Sequence, residues 1–532
     1  MKIRGKRTAA VCTAIVLGIN MIPYAAHATD DINDMNVVQA SEDMNGVNTA
    51  DMGENTASSA YKNPQDIIIS QPNNGYTTTS SRVSILGAAD YRYPVYMNGN
   101  EIGITEHGFF AVYVNLNIGN NTFTFTNNGK SKSITITRKS SGSSGSSSSG
   151  NGITYWSKSH APKYAVVKGQ NISRMSVPGG DSKSLMMPLA TGTMAQIIGE
   201  TGSLYCLSDY SFVYKSNVTV HDGVLGRDAI TSMDLVDDNG YDCTELQLSM
   251  GQKALYNLEM GAQSAILTIY NTDQLAWNII PQNRIIKDIQ VLENRNEGYV
   301  KYQITFQKDA PINGYYVEFG EGKMLVGFKT IPTITDDSLE GIRIHIDAGH
   351  GGTDTGAKGP MDVYGPLEKD INLQIALYAK QYLESKGATV IMTRTDDSDT
   401  ALADRAAKVA AVKPDFSLSI HCNSMPVTAD YNNAKGFLTF YSFDNHSAAE
   451  YINSYITSKV GINKSSARYS NLAMTRMTGY PAVLFETSFM SNPSDYEKMI
   501  DPETQKQFGE AAGEAVESFI KQLAEKNVNS YA

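Results

Sequence analysis

Cysteine is scarce in this chain: four residues in 532, one of them, Cys12, inside the first apolar run. That excludes the disulfide framework of a small secreted scaffold. Among Cys206, Cys243 and Cys422, only Cys206 with Cys243 is a candidate pair. Positive charge is also short, 44 Lys and Arg against 55 Asp and Glu, a formal net charge of −11. A chain this acidic does not attract nucleic acid or anionic lipid through its overall field, so no nucleic-acid partner is expected. After the first residues no apolar run is long enough to cross a bilayer, so no integral span is expected in the mature protein.

The N-terminus does carry such a run. Lys2, Arg4, Lys6 and Arg7 precede it, and Ala26-His27-Ala28 closes it, the pattern of a signal peptide (1–28) cut after Ala28. Its removal takes four positive charges and moves the net charge from −11 to −15. A secreted, cell-wall-associated protein is the expectation. Residues 29–62 form an acidic, aperiodic stretch and read as a disordered spacer.

Residues 63–139 alternate apolar and polar positions in short runs. Asn98-Gly99 marks a hairpin between "PVYM" and "EIGI", and Asn128-Gly129 marks another. This predicts a small β-sandwich resembling bacterial immunoglobulin-like modules, with His107 solvated beside a turn. The Ser/Gly segment 140–152 predicts a flexible linker that leaves the orientation of this module unfixed. Residues 153–220 resemble a small Src-homology-3-like barrel, and 221–335 resemble the AMIN-type β-modules that precede cell-wall amidases. Either is a spacer or a contact to wall polymer.

From Gly341 strands alternate with helices: "IRIHIDA", then "EKDINLQIALYAKQYLESKG", "ATVIMTR", "ALADRAAKVAAVK", "DFSLSIHCN", "GFLTFYS", "HSAAEYINSYITSKV", "PAVLFET" and a closing helix with Phe508, Ala512, Val516, Phe519 and Leu523 on one face. The fold class is therefore multidomain: a C-terminal α/β domain (341–526) with a largely parallel sheet flanked by helices, preceded by all-β modules. In such sheets ligands sit beyond the carboxyl ends of the strands. Those ends offer His350 in a glycine-rich turn, His421 and Glu486, and a helix start adds Glu368. Two imidazoles and a carboxylate make a three-ligand set typical of catalytic zinc, leaving a second carboxylate to move protons. Each residue alone also has a structural reading, as a turn histidine or a helix N-terminal carboxylate.

"IDAGHGGTDTGAKG", "LEKDINLQIALYAKQYLESKGATVIMTRTDD", "LADRAAKVAAVKPDFSLSIHCN" and "YPAVLFETSFMSNPSDYEKM" resemble, in order, the motifs of zinc-dependent N-acetylmuramoyl-L-alanine amidases. The resemblance implies that His350, Glu368 and His421 bind Zn2+ and that Glu486 is the catalytic glutamate. It implies hydrolysis of the amide between N-acetylmuramic acid and L-alanine of peptidoglycan by zinc-activated water. A peptidase acting within the stem peptide and a non-enzymatic wall-binding protein are the rival readings. The chain departs from the family at Ala348, Cys422 and Ser488, where proline, alanine and glycine are frequent.

Strand parity points Cys422 away from His421, which makes it a structural cysteine. His345 shares the parity of Asp347 and reads as packed or polar-paired, and His446 as a cap or solvated residue. Asp347 is expected to orient a metal ligand, and Asn423 to contact substrate. Some family members insert an inhibitory helix after the second zinc histidine. Here Ser424–Lys435 is twelve residues without a helical apolar face, so no such plug is expected.

Overall fold

The computed structural model describes residues 61–530 apart from 141–151, 181–183, 239–241, 274–282, 296–297, 309, 331–333, 335–336 and 464. The signal peptide, nearly all of the acidic spacer and most of the Ser/Gly linker lie outside the described residues. Among those described, no helix is long and apolar enough to cross a membrane.

Residues 68–138 form a three-stranded and a five-stranded sheet around Val83, Ile85, Phe110, Phe125 and Ile136. Both expected hairpins are present. Asn98 and Gly99 take φ of +51° and +84°, and Asn128 and Gly129 take +47° and +74°, as two-residue turns with primed geometry require. Residues 154–222 form an eight-stranded sheet, and residues 232–330 two four-stranded antiparallel sheets. Residues on both sides of position 220 share one core, with Ala165, Val167 and Leu189 in the same cluster as Leu246, Tyr302 and Phe328. Cys206 and Cys243, the candidate pair, are each buried and not joined in a disulfide.

In the C-terminal domain, strands Arg343–Ala348, Thr389–Met392, Phe416–Asn423 and Ala482–Phe489 are parallel. Leu438–Tyr441 runs antiparallel to the last of them, with Arg468–Tyr469 at the edge. Helices α1 (Glu368–Ser385), α2 (Leu402–Val412), α3 (His446–Val460), α4 (Pro493–Met499) and α5 (Pro502–Ser530) complete the domain. The strand alternation is chemically two-sided. Ile344, Ile346, Leu418, Ile420 and Phe485 share a core with apolar residues of α1, α3 and α5. The opposite parity carries His345, Asp347, Ser417 and Ser419, paired rung by rung across two strands. His345 is buried with Nδ1 3.0 Å from Ser417 Oγ, the polar pairing expected of it. His446 opens α3 in solvent, its ring edge-on to Tyr441.

The first β-module is not free to reorient as the linker composition suggested. Phe109 and Ala88 belong to the core of the C-terminal domain, and Phe109 lies edge-on to Tyr496 at 5.2 Å. His107, expected in solvent, places Nδ1 2.8 Å from Glu497 Oε1. These contacts join residues distant in sequence, so linker composition could not reveal them.

Candidate active site

His350 ends the turn after the first parallel strand at φ +61°, and Gly351 and Gly352 follow at +144° and +57°. Such a path is cheap only for glycine, and an imidazole held on it is over-determined by its surroundings. Here those surroundings are two buried arginines. Arg394 donates to the carbonyls of Ala348 and Gly349, and Arg405 to those of Ala348 and His350. The turn is thereby fixed through its carbonyl oxygens.

The turn swings His350 over the sheet end to meet Glu368, the first residue of α1. His350 Nε2 lies 3.2 Å and His421 Nδ1 3.1 Å from Glu368 Oε1. One donor atom from each of the three lies within 4.8 Å of the others, and the two rings stand at 81°. Backbone must come very close for this packing. A Cβ on Gly349 would sit 2.3 Å from the His421 ring, and one on Gly356 2.6 Å from Glu368 Oε2. Glu368 Oε2 accepts the Ala357 N–H, and Oε1 accepts that of Cys422.

Two imidazole nitrogens and a carboxylate oxygen in so small a volume can hold a metal ion, and the N/O donor set suits zinc. Charge in the cluster is strongly coupled. Burial favours a neutral His350, but the Glu368 and Asp354 carboxylates outweigh it and hold its pKa up to about 9. Burial opposes ionisation of Glu368, yet the two imidazoles hold it well below the carboxylate range.

Glu486 lies directly across from His421 on the neighbouring strand. It is buried, and its Oε2 has no hydrogen-bond partner. Burial, reinforced by the Glu368 charge, pushes its pKa well above the usual range. The structure thus brings all four expected residues together. Both strands continue a little beyond His421 and Glu486, to Asn423 and Phe489, past a bulge that reorients the rung.

Other expectations shift. Asp347 accepts its hydrogen bonds from Thr393, Ser419 and Arg405 and so anchors the arginine that pins the turn. The carboxylate that does orient a histidine is Asp354, its Oδ2 2.8 Å from His350 Nδ1. Sequence reasoning missed it, although its position four residues on, in the same glycine-rich turn, was a usable signal. Arg394, Arg405 and Asn372 were also missed. Asn423 spends its Oδ1 on the Ser424 N–H. Cys422 is buried on the core side between Asn372 and Thr487, the structural role expected.

Residues 344–518 match the family model described as N-acetylmuramoyl-L-alanine amidase. The probable cell wall amidase LytH of Staphylococcus aureus is 38% identical over 175 residues, 33% of this chain and 56% of its own length. The chain therefore spans about half the length of the curated relatives it matches. N-acetylmuramoyl-L-alanine amidase from Clostridium difficile 630 is 31% identical over 35% of this chain and 98% of its own, with a TM-score of 0.32. The catalytic domain of CwlV, from Bacillus (Paenibacillus) polymyxa var. colistinus, is 27% identical over 34% and 98%, also at 0.32. Residues 344–518 belong to the N-acetylmuramoyl-L-alanine amidase family.

Proposed function

We propose that the chain is a secreted peptidoglycan hydrolase whose domain 341–526 cuts the amide between N-acetylmuramic acid and L-alanine, with His350, Glu368 and His421 holding zinc and Glu486 moving the proton. The observation that carries this is the convergence of the three donor residues beside a buried carboxyl with an unpartnered oxygen. When bound, zinc supplies Lewis acidity, making water nucleophilic near neutral pH and polarising a carbonyl.

The chain's own residues supply the rest. Asp354 holds His350 in one orientation, and the arginine-braced turn keeps that ring over the sheet end. Glu486 takes a proton at its carboxylate from the attacking water and returns it to the departing amine of L-alanine, and its buried Oε2, with no hydrogen-bond partner, is placed to do so. The modules 63–139, 153–220 and 221–335 would keep the domain on its polymer.

The test is to incubate the mature chain with purified peptidoglycan and identify the released fragments by mass spectrometry. Intact stem peptides beginning with L-alanine, lost on chelation and restored by zinc, are expected. Shortened stems would replace this reading with a peptidase, and binding without any product would replace it with a wall-binding protein. Glu486→Gln should keep stoichiometric zinc and lose at least about 100-fold in kcat, the usual range for a proton-transfer group.

A further inference from the structure

We propose that the first β-module is a fixed wall of the substrate groove, holding the segment that follows His421 in the conformation that engages the peptidoglycan strand. The nature of that substrate rests on the amidase reading; the clamp does not. The segment between Asn423 and Leu438 contains neither helix nor strand, so its backbone groups need partners from elsewhere. Three successive carbonyls find them on the module. Val427 O accepts from the Ser84 N–H (2.7 Å), Thr428 O from Tyr113 Oη (3.0 Å) and Ala429 O from Ser84 Oγ (2.7 Å). Ser84 Oγ in turn accepts the Tyr431 N–H, and Tyr431 Oη donates to Gln71 Oε1 at 2.6 Å. Val427 packs against the module's own apolar core.

The same module also reaches a second segment of the domain. Ser70 Oγ donates to Gly359 O and Gln71 Nε2 to Lys358 O, on the stretch that leads into Glu368. Gln71 therefore touches both segments, through its two amide atoms. The root of the 424–432 segment is held by its own domain, with Met425 N–H on Ser491 Oγ and Asn492 Nδ2 on Tyr431 O. Its outward part is held by the module. A loop leaving the carboxyl end of a parallel strand lies where ligands bind in such sheets. Ordering it in advance removes a cost that substrate binding would otherwise bear.

The test uses the full mature chain with Ser84→Ala, which removes two of the bonds, and Tyr113→Phe, a milder change that removes one and keeps the ring. Hydrogen exchange read by mass spectrometry should accelerate within 424–432 in both. On soluble peptidoglycan fragments KM should rise about fivefold for one net hydrogen bond lost, with kcat within about twofold and bound zinc unchanged. Unchanged exchange in both variants would overturn the clamp. A fall in kcat at constant KM would overturn its role in substrate engagement. If the wild type cleaves no peptidoglycan, the amidase reading fails, and the exchange comparison alone decides whether the module orders this segment.

Discussion

Residue by residue, the site is built by backbone that comes unusually close. Gly349 lies against the His421 ring with no room for a methyl group. Gly349→Ala is therefore expected to displace His421 and abolish stoichiometric zinc binding, read by metal analysis of the purified variant. Asp354 orients His350 from its far nitrogen. Asp354→Ala should weaken zinc about 10–100-fold in competition with a chromophoric chelator, the usual cost of losing such a partner. His345, by contrast, is a stability residue. Burial pushes its pKa down to about 4, whereas an unfolded histidine titrates near 6.5. Between those values the unfolded chain binds the extra proton, so stability falls as pH drops from about 6.5 toward 4, by up to about 3 kcal/mol. His345→Gln should flatten that part of the slope in urea melts compared at pH 7 and pH 5. The four principal site residues were legible in the sequence because strand ends and a helix start are local features. Arg394 and Arg405 were not, because their partners are backbone carbonyls that only the folded turn presents, whereas Asp354, four residues after His350, carried a signal that went unread.

At the scale of elements, α1 carries Glu368 at its first residue, so the placement of α1 is part of the site. Its neighbour α5 approaches through Gly509 and Gly513, which share a face one turn apart. A Cβ on Gly509 would meet Tyr378 Cβ at 2.4 Å and Ile375 O at 2.6 Å. Gly509→Ala raises helix propensity yet should destabilise the domain by about 1–3 kcal/mol, because backbone and Cβ cannot move aside as a side-chain tip could. A lowered denaturation midpoint checks this, and a raised one would place the helices further apart. Helices and strands of this domain were largely legible, since apolar period distinguishes them. The expected α5 face proved right, with Phe508, Ala512, Val516 and Phe519 buried in the core. Helix α4 went unread although Asn492 caps it and Pro493 opens it, because its single apolar contact face is too short to show periodicity.

Over the whole molecule, the β-rich region before residue 330 and the α/β domain are joined by a buried ion pair. Lys329 donates to Asp415 and to Pro414 O (3.0 Å), while Asp415 Oδ2 accepts the Arg343 N–H at the start of the first parallel strand. Removing one partner strands the other charge away from water. Lys329→Met should cost about 3–5 kcal/mol, and Lys329→Met with Asp415→Asn should recover much of it, since asparagine still accepts from Arg343. Denaturant midpoints of the three proteins measure this. None of it was legible, because a lysine and an aspartate 86 positions apart have no shared pattern.

The docked first module also changes what a cut in the chain would do. Residues 140–152 connect it to everything downstream, so its grip on the 424–432 segment is an intramolecular association. Short tethers of this kind sustain effective concentrations near the millimolar range. A protease that severs this segment converts docking into an ordinary bimolecular equilibrium. Dilution would then separate module from domain, so a nick far along the chain from His421 becomes a change in the segment that follows it.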